Sequence, residues 1–221
     1  MSLLECLISL AISLILITPV IQSSGRMVAK QMHYQKTQHL TNEADRAFEL
    51  IGRAIRMSGY QNLESTQNKA AKKANPELIA IQKGRGYNRS DALVIRHGIA
   101  HSSSLGFDFD CLGNVLSPER TQNQLALQGF SLERQAGVNK GVKVNGGSLM
   151  CQSLDRHARI QSTTLMNGVN YLRIEELASK TNLAGSRLFK VQLEMTDGHA
   201  LTLTFERYFA TRNALLSLIH I

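Results

Sequence analysis

Lys and Arg are missing from the first 25 residues, although the 221-residue chain carries 25 of them against 17 Asp and Glu, a formal net charge of +8. A cleaved secretory signal needs a basic stretch before its apolar run, so that absence argues against one. No G-x-S-x-G, phosphate-binding loop or C-x-x-C occurs, which removes the motif-borne nucleophilic, nucleotide and dithiol chemistries. Aromatic residues are only 5% of the chain, too few for a dedicated single-strand stacking platform. Apolar residues make up 43%, which excludes collagen-like, disordered and multi-span membrane classes.

What is present is sharply asymmetric. MSLLECLISLAISLILITPVIQ, residues 1–22, holds a single charged side chain, Glu5. About 20 apolar residues cross a bilayer core as a helix, so this stretch is long enough for one span. The first cations, Arg26 and Lys30, lie beyond it. The positive-inside rule would hold that side in the cytoplasm, and removal of a short basic leader ahead of Met1 would resolve the conflict. An acid within hydrocarbon costs roughly 2.5–3.5 kcal/mol, so Glu5 is expected to pair with the α-amino group of Met1 or of a neighbouring chain. The alternative is a position at headgroup level near the helix end. Pro19, inside the helix, is expected to bend or loosen it.

From residue 26 to about 60 the pattern becomes amphipathic. Leu40, Ala44, Ala47, Phe48, Ile51, Ala54 and Ile55 recur at steps of three and four, one apolar stripe. Glu49 and Arg53 stand four apart on the opposite face as an expected ion pair, and Ser58-Gly59 reads as a stop. Residues 1 to about 58 are therefore expected to form one helix about 85 Å long, whose second half lies against the rest of the chain.

Residues 61–221 read as strands. LIAI (78–81), ALVIR (92–96), LGFDF (105–109), LALQGFSL (125–132) and YLRIEEL (171–177) are short runs between Gly, Asn and Ser. Phe189, Val191, Leu193 and Met195 alternate with polar residues, as do Leu201, Leu203 and Phe205, with Asp197-Gly198 between. A single apolar face demands an odd-length loop or a bulge. A three-residue loop, 197–199, sets Leu193 opposite Leu203 and Met195 opposite Leu201. The expected class is α+β: an apolar helical half (1–25), an amphipathic half (26–60) and an antiparallel sheet domain (61–221).

Cys6 lies in the apolar helix as a small hydrophobe. Cys111 and Cys151 flank turns in the strand-rich part. Outside the cytoplasm they are expected to form a disulfide closing a loop of about 40 residues, worth about 4 kcal/mol; two unpaired buried thiols are the alternative.

This order of parts resembles a type IV pilin. RAIRMSGYQN (53–62), DALVIRH (91–97), DCLGN (110–114), LMC (149–151), LMNGVNYLRIE (165–175) and FERYFATRN (205–213) further resemble minor pilins of the PilW/PulJ type. RMSGY and DCLGN lean toward the PilW-like, type IV pilus branch. Met at position 1, where Phe is usual, a slightly early Pro19 and the tail ALLSLIHI after Asn213 depart from the pattern. The resemblance implies the type IV pilin fold, cleavage and N-methylation at Met1 by a prepilin peptidase, and an inner-membrane helix with a periplasmic sheet domain. It also implies transfer of that helix into a fibre, with Glu5 pairing with the amine of an adjacent subunit. Other minor pilins, a major pilin and in some systems a tip adhesin are the implied partners. A pseudopilin of type II secretion is the neighbouring alternative.

Other chemistry is thin. Asp108, Asp110, Gly113 and Glu119 partly mimic a calcium loop, but Leu112 fills a ligand position and a strand-to-turn junction is favoured. His97 and His101 have a metal-compatible spacing without a third ligand, and read as core or solvated histidines. No cofactor is expected. Residues 61–221 hold 19 cations and 13 acids, net +6, with Lys69, Lys72, Lys73, Lys83, Arg85 and Arg89 clustered early. This patch is a candidate for an anionic partner, DNA included, with a solvated charged loop as the favoured alternative.

Overall fold

A computed structural model describes residues 3–58, 78–99, 108–123, 125–135, 137–139, 141–142, 144, 146–177 and 187–211. Among the described residues its elements are one α-helix, α1 (Leu3–Met57), two short 3-10 turns (Tyr87–Arg89 and Pro118–Arg120) and seven strands: β1 (Ile79–Gln82), β2 (Ala92–Gly98), β3 (Leu125–Arg134), β4 (Gly147–Leu154), β5 (Ile160–Leu177), β6 (Leu188–Thr196) and β7 (Thr202–Ala210). The strands pair in chain order as one antiparallel meander. The α+β class is therefore as expected. Two compact units divide the chain, Met1–Thr41 and Asn42–Ile221.

Within the larger unit, the end of α1 lies on one face of the sheet. Ala44, Ala47, Phe48, Ile51, Ala54 and Ile55 are all buried, and Leu40 of the same stripe is buried as well. The facing layer follows from register. Phe130 pairs with Leu93 on one side and Cys151 on the other, so these three share a face with Ile95, Leu132 and Leu149. On β6 every second residue, Phe189, Val191, Leu193 and Met195, is fully buried, the alternation its sequence shows. α1 ends where Ser58 N–H bonds the carbonyls of Ala54 and Ile55, and it continues through Pro19 without interruption.

Four expectations change. The β6–β7 loop has five residues rather than three: Thr196 pairs with Thr202, Leu193 with Phe205 and Met195 with Leu203. The loop is odd, so one apolar face is kept, but the register moves by two. Asp197 causes this, since Oδ1 accepts from the N–H of His199 (2.9 Å) and Leu201 (3.1 Å), and Gly198 takes φ 81° between them. Leu201 is thus a loop residue. β5 is 18 residues long, not seven, and β4 is an unanticipated strand. Of the stretch 105–109, Phe109 forms an isolated bridge with Val115, and residues 105–107 lie outside the described residues. Arg53 does not pair with Glu49: its guanidinium stands 6.0 Å from the Phe109 ring centroid.

Candidate functional site

From Leu3 to Lys36 every residue of α1 is exposed. Twelve of those before Gln22 are Leu, Ile or Val. At 1.5–3 kcal/mol per buried side chain, covering them is worth on the order of 20 kcal/mol, more than the stability of a whole domain. Exposed apolar patches of this size are a mark of protein–protein or membrane interaction surfaces. α1 is long and apolar enough to span a membrane.

The polar atoms of this segment fit that environment. Ser9, Ser13, Thr18 and Ser24 donate their hydroxyls to the carbonyls of Cys6, Ser9, Leu14 and Val20 at 2.8–3.0 Å, three or four residues back. No hydroxyl among these four is left bare in the apolar surround. Pro19 supplies no N–H to the carbonyl of Ile15. Glu5 lies in the first turn and is exposed. Met1, its expected partner, lies outside the described residues.

Three of the six residues of the expected cationic cluster, Lys83, Arg85 and Arg89, are among the described residues. Lys69, Lys72 and Lys73 lie outside the described residues. Lys83 donates to Asp91 Oδ2 at 3.0 Å and to the carbonyl of Ile174, so its charge is spent on a buried acid. Asp91 also accepts from the N–H of Gly84 (3.1 Å) and Ile174 (2.9 Å), while Ser90 Oγ accepts from Leu172 N–H (3.1 Å). The reason is topological. β4 pairs with β5 only as far as Val169, and the turn before β2 satisfies backbone groups of β5 beyond that point. Arg85 and Arg89 are exposed, and among the described residues neither has an ion-pair partner.

Cys111 and Cys151 form a disulfide, with Cα atoms 6.2 Å apart. It ties the turn 108–116 to the core face of β4. Asp110, buried in that turn, accepts from the N–H of Leu112 (2.9 Å) and Asn114 (2.8 Å) and from Asn114 Nδ2 (3.1 Å). This is the strand-to-turn junction, with the carboxylate committed to the backbone. His97 is buried on the same core face. Its Nδ1 contacts the Gly98 carbonyl at 2.9 Å, and its Nε2 lies 3.2 Å from Gln128 Nε2, which also reaches the Phe109 carbonyl at 3.4 Å. Those partners assign a neutral ring, Nδ1 protonated and Nε2 accepting. Burial holds the His97 pKa below its ordinary value; Arg53 adds to the effect, and the Gly98 carbonyl and Asp108 oppose it. His97 is thus a core histidine, and His101 lies outside the described residues. Among the described residues no cluster of three or more His, Cys, Asp or Glu is arranged to hold a metal.

The sequence did not single out Arg207. It interrupts the apolar side of β7, bonds Asp45 Oδ1 at 2.7 Å and stacks 5.5 Å from the Phe48 centroid. The only hint was Asp45 beside the apolar stripe. No protein-family model, curated protein or solved structure matches the chain.

Proposed function

We propose that the chain is a minor pilin of the PilW/PulJ type, a non-catalytic assembly protein that helps initiate a type IV pilus and joins its tip complex. The observation that carries this reading is the fully exposed apolar half of α1 with one acid, Glu5, continuous with an amphipathic half whose stripe is buried. A segment of this kind can exchange lipid for a bundle of like helices, and its single acid favours one axial register there. On this reading Met1 bears the processed amine, the helix waits in the inner membrane and the sheet domain is periplasmic. The disulfide supports an oxidising compartment for that domain.

A pseudopilin role in type II secretion uses the same parts, and neighbouring genes separate the two. DNA capture is the less favoured reading, because Lys83 is neutralised by Asp91. Charge reversal at Lys69, Lys72, Lys73 and Arg85 abolishes DNA retention with piliation intact if that reading holds. The direct test of the pilin reading is to remove the chain and count surface filaments, and to probe sheared filaments of the parent for it. Fewer filaments and recovery of the chain in the sheared fraction are expected. Normal filament numbers with the chain confined to the membrane would refute it.

A further inference from the structure

Between Glu5 and Glu43 the chain has no acidic residue. Arg26, Lys30 and His33 fall in that interval, just after the apolar run, and all three are exposed on α1. At 100° per residue they occupy an arc of about 60°, a single polar stripe whose charge is carried by Arg26 and Lys30. Met27 and Tyr34, also exposed, occupy a neighbouring arc of the same turns. The Tyr34 hydroxyl accepts from Gln38 Nε2 at 2.8 Å, one end polar and the ring free.

We infer that this stripe docks on anionic phospholipid headgroups and fixes the depth at which α1 sits in the bilayer. This rests on the reading of the apolar run as a membrane span. If residues 3–22 fill the hydrocarbon core, the headgroup layer takes in roughly the next five residues at 1.5 Å each. Arg26 lies within it and Lys30 one turn beyond. Side chains on a helix lean toward its N-terminus, which here is toward the bilayer, so the long stems of both return their charges to the headgroup level. An aromatic ring with a polar tip beside them is the usual companion at that level. An acidic protein partner would need no such placement next to the apolar run.

The test uses the full chain in phosphatidylcholine vesicles containing phosphatidylglycerol. With Cys6→Ser and Gln31→Cys, one free thiol carries a donor dye, and acceptor-labelled phosphatidylglycerol or phosphatidylcholine is added in trace amounts. Energy transfer should show the anionic lipid enriched about five-fold or more near residue 31, the factor expected of one cation at an anionic surface. The enrichment should vanish with Arg26→Gln and Lys30→Gln together, and in 0.5 M NaCl. Equal transfer from both lipids overturns the proposal while leaving the span intact. Loss of the chain from the vesicles on alkaline washing overturns the span reading, and the proposal with it.

Discussion

The Phe209 ring fills the space that a side chain at Gly52 would need: a Cβ built on Gly52 would overlap Phe209 Cε1 and lie 2.6 Å from Cδ1. Phe209 is in turn held 6.3 Å from Phe48, centroid to centroid. Gly in a helix is normally a weakness, and Ala there stabilises by roughly 0.5–1 kcal/mol. Here the sign reverses. Gly52→Ala should lower stability by about 1–3 kcal/mol through overpacking between α1 and β7, read as a lower urea midpoint of the sheet domain. A higher midpoint would mean the contact is not made.

Asp91 joins the turn before β2 to β5 by accepting from the Ile174 N–H, and within the turn it accepts from the Gly84 N–H and pairs with Lys83. Asp91→Ala should cost about 1–3 kcal/mol, since it leaves the buried Ile174 N–H without its acceptor. Asp91→Asn keeps an acceptor and should cost less. Equal effects of the two would show that the carboxylate's acceptor role does not matter.

The pH dependence of stability reports on His97. Unfolded histidine titrates near 6.5, and the folded ring lies below that value because burial disfavours the cation. Between the two values the unfolded state binds the extra proton, so the stability contribution is whole above pH 6.5 and shrinks as pH falls toward the folded-state pKa. The slope cannot exceed about 1.4 kcal/mol per pH unit for one group. Urea midpoints at pH 7.5 and 5.0 should differ more in the parent than in His97→Gln. Asp155, Glu176 and Glu206, whose pKa values are all lowered, change the balance only at lower pH.

Reduction of Cys111–Cys151, or replacement of both by Ser, should lower stability by about 4 kcal/mol on the chain-entropy model for a 40-residue separation. The turn 108–116 should loosen first, exposing His97, so the pH dependence above should flatten in the same variant. A disulfide-free protein with unchanged pH dependence would show that the bridge does not close the core there.

Much of this architecture was legible because its patterns are periodic. The stripe from Leu40 to Ile55 and the alternation of β6 are unbroken, and the structure buries both. β4 and the first half of β5 were not legible: GSLMCQSL and IQSTTLMNGVN are polar and show no steady alternation. Register shifts in the β4–β5 pair, between Gly147 and Ser148 and between Leu149 and Met150, break the period further. The hairpin parity was readable but not the turn, since Asp197 closes five residues through its side chain. At the candidate site the apolar run and Glu5 were visible at once. The use of Lys83 was not, because its partner Asp91 is presented by a turn whose position depends on the whole sheet.

The central claim is that the exposed apolar half of α1 leaves lipid for a fibre and that Glu5 sets its register there. The most direct measurement compares Glu5→Gln with the parent for the ratio of chain in sheared surface filaments to chain in the membrane. The account predicts an unchanged membrane level and at least a ten-fold loss from the filament fraction. Equal ratios for the two proteins would contradict it.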